Sequence, residues 1–161
     1  MNVRTHLSRL ASVFAVCVAC AAPAAASSPA ATPANPNARL VAQAFDNWKQ
    51  GTGTVFDLLA DDMQWTVAGV SPVSGTYRTR ESFIADAVRP ITSKLDTPIV
   101  PTVKHIVAQD DQVVVLWDGV ATGKDGQTYE NSYAWHMTLD GGRITQVVAF
   151  LDTWRLVQLM E

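Results

Sequence analysis

A chain of 161 residues has room for one domain with a full core, and 48% hydrophobic with 17% charged residues is a globular composition that excludes disorder over most of its length. A formal net charge of −3 gives no electrostatic reason to expect nucleic acid as a partner.

Residues 1–26 read as a signal peptide. Arg4, His6 and Arg9 make a basic start, residues 10–22 form an uncharged run rich in Ala and Val, and Ala24, Ala25 and Ala26 are the small residues that precede a cleavage site. The run is shorter than the roughly 20 residues of a membrane span and no second one follows, so no span is expected after cleavage. The protein is therefore expected to be exported, to the periplasm or the medium. Val18-Ala19-Cys20, which weakly resembles a lipoprotein cleavage site, offers the alternative of a lipid anchor at Cys20. Both cysteines, Cys17 and Cys20, lie in this segment, so cleavage after Ala26 removes disulfides, thiol catalysis and thiolate metal sites from consideration. Residues 27–37, composed of Ser, Pro, Ala, Thr and Asn, read as a flexible leader, and residues 38–161 as the domain.

Asn37 is expected to cap a helix with Leu40, Val41, Ala44, Phe45 and Trp48 on one face, ended by Gly51. Residues 55–60 read as a helical turn, 64–68 as a strand, and 80–95 as a helix burying Phe83, Ile84, Ala87 and Val88, with a kink at Pro90. From residue 97 the period becomes two, giving strands at 99–108, 112–123, 128–139 and 143–153. Asp110-Asp111, Asp125-Gly126 and Gly141-Gly142 are read as two-residue hairpin turns. Helices followed by an antiparallel meander give an α+β fold.

Two-residue turns fix the register, and with it the faces of the sheet. Counting outward puts Val114, Leu116, Asp118, Val120, Asn131, Tyr133, Trp135, Val148, Phe150 and Asp152 on one face, with His105 opposite Leu116. This bulky face is read as inward, around a pocket that also takes in Trp65 and Phe45. The other face, with Val113, Val115, Trp117, Ala121, Ala134, His136, Val147, Ala149 and Leu151, is read as suited to a second subunit.

The strand Tyr129-Glu130-Asn131-Ser132-Tyr133-Ala134-Trp135, the turn Asp140-Gly141-Gly142-Arg143-Ile144 and the closing Phe150-Leu151-Asp152-Thr153 resemble SnoaL-like proteins of the NTF2-like superfamily. So do Leu59-Ala60-Asp61-Asp62-Met63-Gln64-Trp65 and Gly75-Thr76-Tyr77-Arg78, and the likeness runs over residues 38–158. The resemblance implies a cone, with a curved antiparallel sheet wrapped around the N-terminal helices, a cavity inside, and homodimers through the sheet. Its members include polyketide cyclases, ketosteroid isomerases, epoxide hydrolases, dehydratases and proteins with no known reaction, so the fold does not settle the chemistry. Asp152 matches an acidic position that several of the enzymes use. The arginine of the epoxide hydrolases is missing from 112–123, and the first helix offers Phe45 and Trp48 where the isomerases have a tyrosine.

The sharpest functional expectation is cofactor-free acid/base catalysis of the isomerase, cyclase or dehydratase type on a small hydrophobic substrate. Asp152 would be the base. Tyr133, Asn131 or a protonated Asp118 would hydrogen-bond to a developing oxyanion, and His105 would shuttle a proton or orient Asp118. The substrate pocket would comprise Asn131, Trp135, Phe150, Leu116, Trp65 and Phe45. The plainer alternatives are an ion pair of Asp152 with Arg155, a core or rim role for His105, and turn roles for Asp61 and Asp62. No metal is expected, since no His-x-His or comparable cluster appears. At the level of the whole protein, the alternatives are a noncatalytic binder of hydrophobic small molecules and a dimerising module whose cavity is vestigial.

Overall fold

The computed structural model describes residues 35–161. The signal peptide expected at 1–26, with Cys17 and Cys20, and the leader up to residue 34 lie outside the described residues. The first helix, α1 (Pro36–Gln50), begins two residues earlier than expected. Asn35 is its cap, accepting from the backbone N–H groups of Asn37 and Ala38 at 2.9 and 3.1 Å, and Pro36 takes the first turn, where its missing N–H has no cost. Gly51 ends the helix in the left-handed conformation at φ 72°. One face buries Ala38, Val41, Ala44 and Phe45 against β3 and β4.

A 3₁₀ turn (Val55–Leu58) leads into β1 (Leu59–Val67), which starts earlier than expected and includes Asp61 and Asp62 as exposed strand residues. After β2 (Gly75–Tyr77) comes a helical rod in three parts: α2 (Arg80–Phe83), a π turn (Ile84–Val88) and α3 (Arg89–Ser93). In the π turn the Arg89 N–H bonds five residues back to the Ile84 carbonyl. Pro90, which lacks an N–H and crowds the carbonyl four residues behind it, is accommodated by that widening. The meander follows expectation closely: β3 (Val100–Gln109), β4 (Gln112–Thr122), β5 (Thr128–Asp140) and β6 (Arg143–Leu151). A closing helix, α4 (Thr153–Met160), replaces the end of the last expected strand.

The six strands form one sheet in the order β2-β1-β6-β5-β4-β3, with β1 parallel to β6 and every other pair antiparallel. The curved sheet packs the helices on one side, as expected for an α+β cone. Among the described residues no helix is long and apolar enough to cross a membrane.

The registers differ from the count on both sides of β5. The Asp110-Asp111 turn behaves as read, and His105 does face Leu116. At the next turn, however, the Gly123 N–H bonds to the Gln127 carbonyl at 2.8 Å and Gly126 to that of Gly123 at 2.9 Å, closing a loop of odd length with Gly126 at φ 81°. Thr122 therefore faces Thr128, and Trp117 faces Tyr133. The Gly141-Gly142 turn begins as read, with Leu139 opposite Ile144, but a bulge then shifts the pairing so that Trp135 faces Ala149 rather than Val148. The two shifts cancel between β4 and β6, so β5 turns Asn131, Tyr133 and Trp135 inward as expected while β4 and β6 turn inward the faces opposite to those expected.

Candidate functional site: an aromatic cavity between sheet and helices

The inner face now combines Tyr129, Asn131, Tyr133 and Trp135 of β5 with Val115 and Trp117 of β4 and Val147 and Ala149 of β6. Helical side chains close over it: Trp48 from α1, Phe83, Ala87, Val88, Ile91 and Thr92 from the rod, and Leu156 from α4. Together they leave a cavity of about 290 Å³. That is the lower end of the range for small-molecule sites, about 300 Å³ and above.

Aromatic rings make most of the wall. Trp135 stands at its centre, edge-on to Trp65 and to Trp117 with ring centroids 4.8 Å away in both cases. Trp65 stacks on Phe83 at 4.1 Å and Trp117 on Tyr133 at 4.0 Å. Such pairs contribute roughly 0.5–1.5 kcal/mol each beyond the burial of their area, so the wall is stiff. Gly119 is required beneath it. A Cβ there would lie 2.9 Å from both Ile99 Cγ2 and Trp117 Cζ3 and 3.2 Å from Tyr133 Cε2.

The polar groups form a short chain. Asn131 Nδ2 donates to the Tyr129 hydroxyl at 3.1 Å, and the Tyr129 and Tyr133 hydroxyls lie 2.9 Å apart. One proton bridges the two oxygens and the other is left over. Burial pushes the phenol of Tyr133 far up, and Tyr129 moves in the same direction for the same reason, so both are neutral donors. Asn131, buried to 3% exposure, also donates to the Asp152 carbonyl at 2.9 Å and accepts from the Asp152 N–H at 3.1 Å. It clamps β5 to the junction of β6 and α4.

The residues expected from sequence divide accordingly. Trp65, Trp135 and Tyr133 line the cavity, Asn131 stands behind the tyrosine pair, and Phe45 lies in the core against Trp117 and Trp135 without reaching the cavity. Leu116, Asp118, His105 and Phe150 lie on the outer face, because the register shifts on both sides of β5 turn Trp117 of β4 and Ala149 of β6 inward in their place. The expectation that they share a pocket with Tyr133 is corrected. Asp118 is held by Lys104 at 2.5 Å and Ser132 at 2.8 Å, and the Lys104 bond first, then the Ser132 bond, lowers its pKa below the ordinary value. It is an ionised surface carboxylate rather than a protonated donor. Asp152 is exposed and caps α4, its Oδ1 accepting from the Trp154 and Arg155 N–H groups at 3.0 and 3.3 Å.

Two residues that matter escaped the sequence reading. Tyr129 was visible in principle, since Tyr129, Asn131, Tyr133 and Trp135 alternate along one strand and must share a face whatever the turn does. Trp117 was assigned to the other face by the miscounted loop. No carboxylate, imidazole, ammonium or guanidinium lines the cavity among the described residues. The arrangement can enclose an uncharged apolar molecule and donate hydrogen bonds to it, but it offers no general base. A larger depression of about 480 Å³ beside α2 carries Asp61, Glu81, Arg80 and Arg89, whose charges offset one another. No group of three His, Cys, Asp or Glu side chains is placed to hold a metal among the described residues.

The fold has solved counterparts. An NTF2-like protein from Burkholderia thailandensis E264 superposes with a TM-score of 0.63 at 20% identity, covering 78% of this chain and 97% of its own. An NTF2-like protein of unknown function from Burkholderia pseudomallei K96243 gives 0.64 at 19%, with 77% and 96% covered. A protein from Jannaschia sp. CCS1, provisionally named a SnoaL-like polyketide cyclase, gives 0.61 at 14%, with 81% and 97% covered. At these identities the likeness speaks for the fold alone. Comparison with curated proteins finds no match. In sequence, the model of the SnoaL-like domain matches residues 41–147, from the first helix to the last strand of the meander. That match and the shared architecture assign the chain to the SnoaL-like domain family of the NTF2-like superfamily.

Proposed function

We propose that this protein is an exported, noncatalytic binder of a small, uncharged, largely hydrophobic molecule, which it holds in the aromatic cavity. The observation that carries the reading is the composition of the wall: eight aromatic and several aliphatic side chains and no ionisable group other than two tyrosines held neutral by burial. A charged ligand would lose its hydration with no counter-ion in return, so the chemistry selects for neutrality. Catalysis by proton abstraction needs a base within reach of the substrate, and Asp152 spends its carboxylate on the start of α4. Export rests on the reading of residues 1–26.

The same proposal includes a homodimer through the outer face of the sheet. Leu116 and Phe150 are 39 and 53% exposed there and share one cross-strand row through Ala134, forming an apolar patch.

Two measurements test the binding reading. Native mass spectrometry of the protein from its own host's cell envelope is expected to release a neutral small molecule on gentle activation. The uncharged fluorophore N-phenyl-1-naphthylamine is expected to brighten on binding, and Ala87→Trp, which fills the cavity from the rod, is expected to abolish that response. A probe response indifferent to Ala87→Trp would sink the reading, and conversion of the host molecule on incubation would restore an enzymatic one.

A further inference from the structure

The wall of the cavity is not held equally on all sides. The sheet is laddered from strand to strand, α1 buries Ala38, Val41, Ala44 and Phe45 along its length, and the start of α4 is clamped by Asn131. Residues 84–93, the π turn and α3, are held differently. None of them is buried, although Ala87, Val88, Ile91 and Thr92 cover the cavity. Among the described residues their side chains hydrogen-bond only back into the same stretch, from Thr92 Oγ1 to the Arg89 carbonyl at 3.1 Å and from Ser93 Oγ to the Pro90 carbonyl at 2.6 Å.

Both ends of the stretch, by contrast, are fixed. Ahead of it, Phe83 is 4% exposed and stacks on Trp65 with ring centroids 4.1 Å apart. Behind it, the Lys94 carbonyl accepts from the Lys124 N–H at 2.9 Å, the Asp96 N–H donates to the Thr122 carbonyl at 2.8 Å, and Leu95 is 7% exposed. The result is a strap tied at each end and loosely held along its middle.

The backbone of the strap is weakest at the π turn. There the Arg89 N–H reaches back five residues to Ile84, and Pro90 has no N–H to give, so the helical ladder loses a rung where its spacing changes. A segment with few buried contacts and an interrupted ladder opens at a fraction of the cost of global unfolding. The rim of the cavity points to the same place. Of the residues that line it, only Thr92 in the strap and Pro98 just beyond are exposed, so the cavity meets solvent beside α3.

Building on the proposed binding function, we infer that residues 84–93 are the gate of the cavity: the strap bows outward at the π turn to admit and release the ligand, and closes over it again. Pro90 sets how readily it does so. Neither Pro90 nor Arg89 lines the cavity, so replacing them leaves the contacts of a bound ligand in place. A gate changes entry and exit together and leaves the affinity where it was.

The test follows N-phenyl-1-naphthylamine by stopped-flow fluorescence. Pro90→Ala restores the missing donor and is expected to slow entry and exit alike by about fivefold, the worth of one hydrogen bond, with Kd within about twofold. Arg89→Gly loosens the strap at an exposed position and is expected to speed both by about fourfold. Hydrogen exchange needs no variant to fold: amides of residues 86–93 are expected to exchange at least about 100-fold faster than those of residues 41–48 in α1, and to slow when the probe is bound. Rates indifferent to both variants, or a strap as protected as α1, overturn the inference while leaving the binding function intact. A changed Kd without a common change in the two rates overturns it as well, and would mean that the strap shapes the cavity rather than gating it. A probe that does not bind the parent protein at all overturns the binding function with it.

Discussion

Replacing Asn131 with Ala removes three hydrogen bonds from the least exposed polar side chain among the described residues, those to the Tyr129 hydroxyl, the Asp152 carbonyl and the Asp152 N–H. A net contribution of about 1 kcal/mol per bond sets the scale at about 3 kcal/mol. The loss is moderated because Asp152 is exposed, so its backbone groups regain water, and because Tyr129 keeps Tyr133 as a partner. The expected destabilisation is about 2–3 kcal/mol, a large part of the roughly 5–15 kcal/mol that holds a domain folded. For a domain of this size that corresponds to a fall in Tm on the order of 8 °C. Urea unfolding followed by tryptophan fluorescence measures it, and the slope should be unchanged if only native-state bonds are lost. A shift below about 0.5 kcal/mol would refute the view that Asn131 clamps β5 to the start of α4.

Three further outcomes follow from the same structure. Tyr77, Tyr129 and Tyr133 all have raised pKa values, burial being the first cause in each case, so the folded chain holds its phenolic protons more tightly than the unfolded chain. The resulting stability is complete below about pH 10, the ordinary tyrosine value, and is lost as pH rises above it, by about 1.4 kcal/mol per pH unit for each of the two buried phenols. Tyrosinate absorbance should thus appear together with unfolding, and a phenol titrating near pH 10 in a protein with native circular dichroism would contradict this. Gly119→Ala drives a methyl group into Trp117 and Ile99 at 2.9 Å, so a loss of about 1–3 kcal/mol and an altered near-ultraviolet spectrum are expected. An unaltered spectrum with full stability would show the ring stack to be looser than it looks. Phe150→Lys on the outer face should convert the proposed dimer to monomer in sedimentation velocity without changing probe binding, and a monomeric parent protein would remove the dimer from the proposal.

The sequence by itself determined the four strands of the meander, the places where they turn, and that an α1 face built on Val41, Ala44 and Phe45 needs a sheet to cover it, because these depend on local periodicity and local backbone preference, whereas the short β2 was not read. It also determined that Tyr129, Asn131, Tyr133 and Trp135 share a face, since alternation along one strand needs no partner. The closing helix was legible too, in Asp152 followed by the spacing of Leu156, Leu159 and Met160, although the last expected strand was run on to residue 153 and no helix was expected after it. Only the tertiary structure decided which residues of β4 and β6 join the β5 set. One odd-length loop at Gly126 and one bulge after Leu139 each shift a register by a single residue, and with a side-chain period of two a single residue exchanges the faces. Trp117 entered the cavity by that exchange, while Asp118, Leu116 and Phe150 were left outside it. Turn length and bulges are settled by the twist and packing of the whole sheet, which is why the chemistry of the site, unlike the order of its strands, could not be counted from the chain.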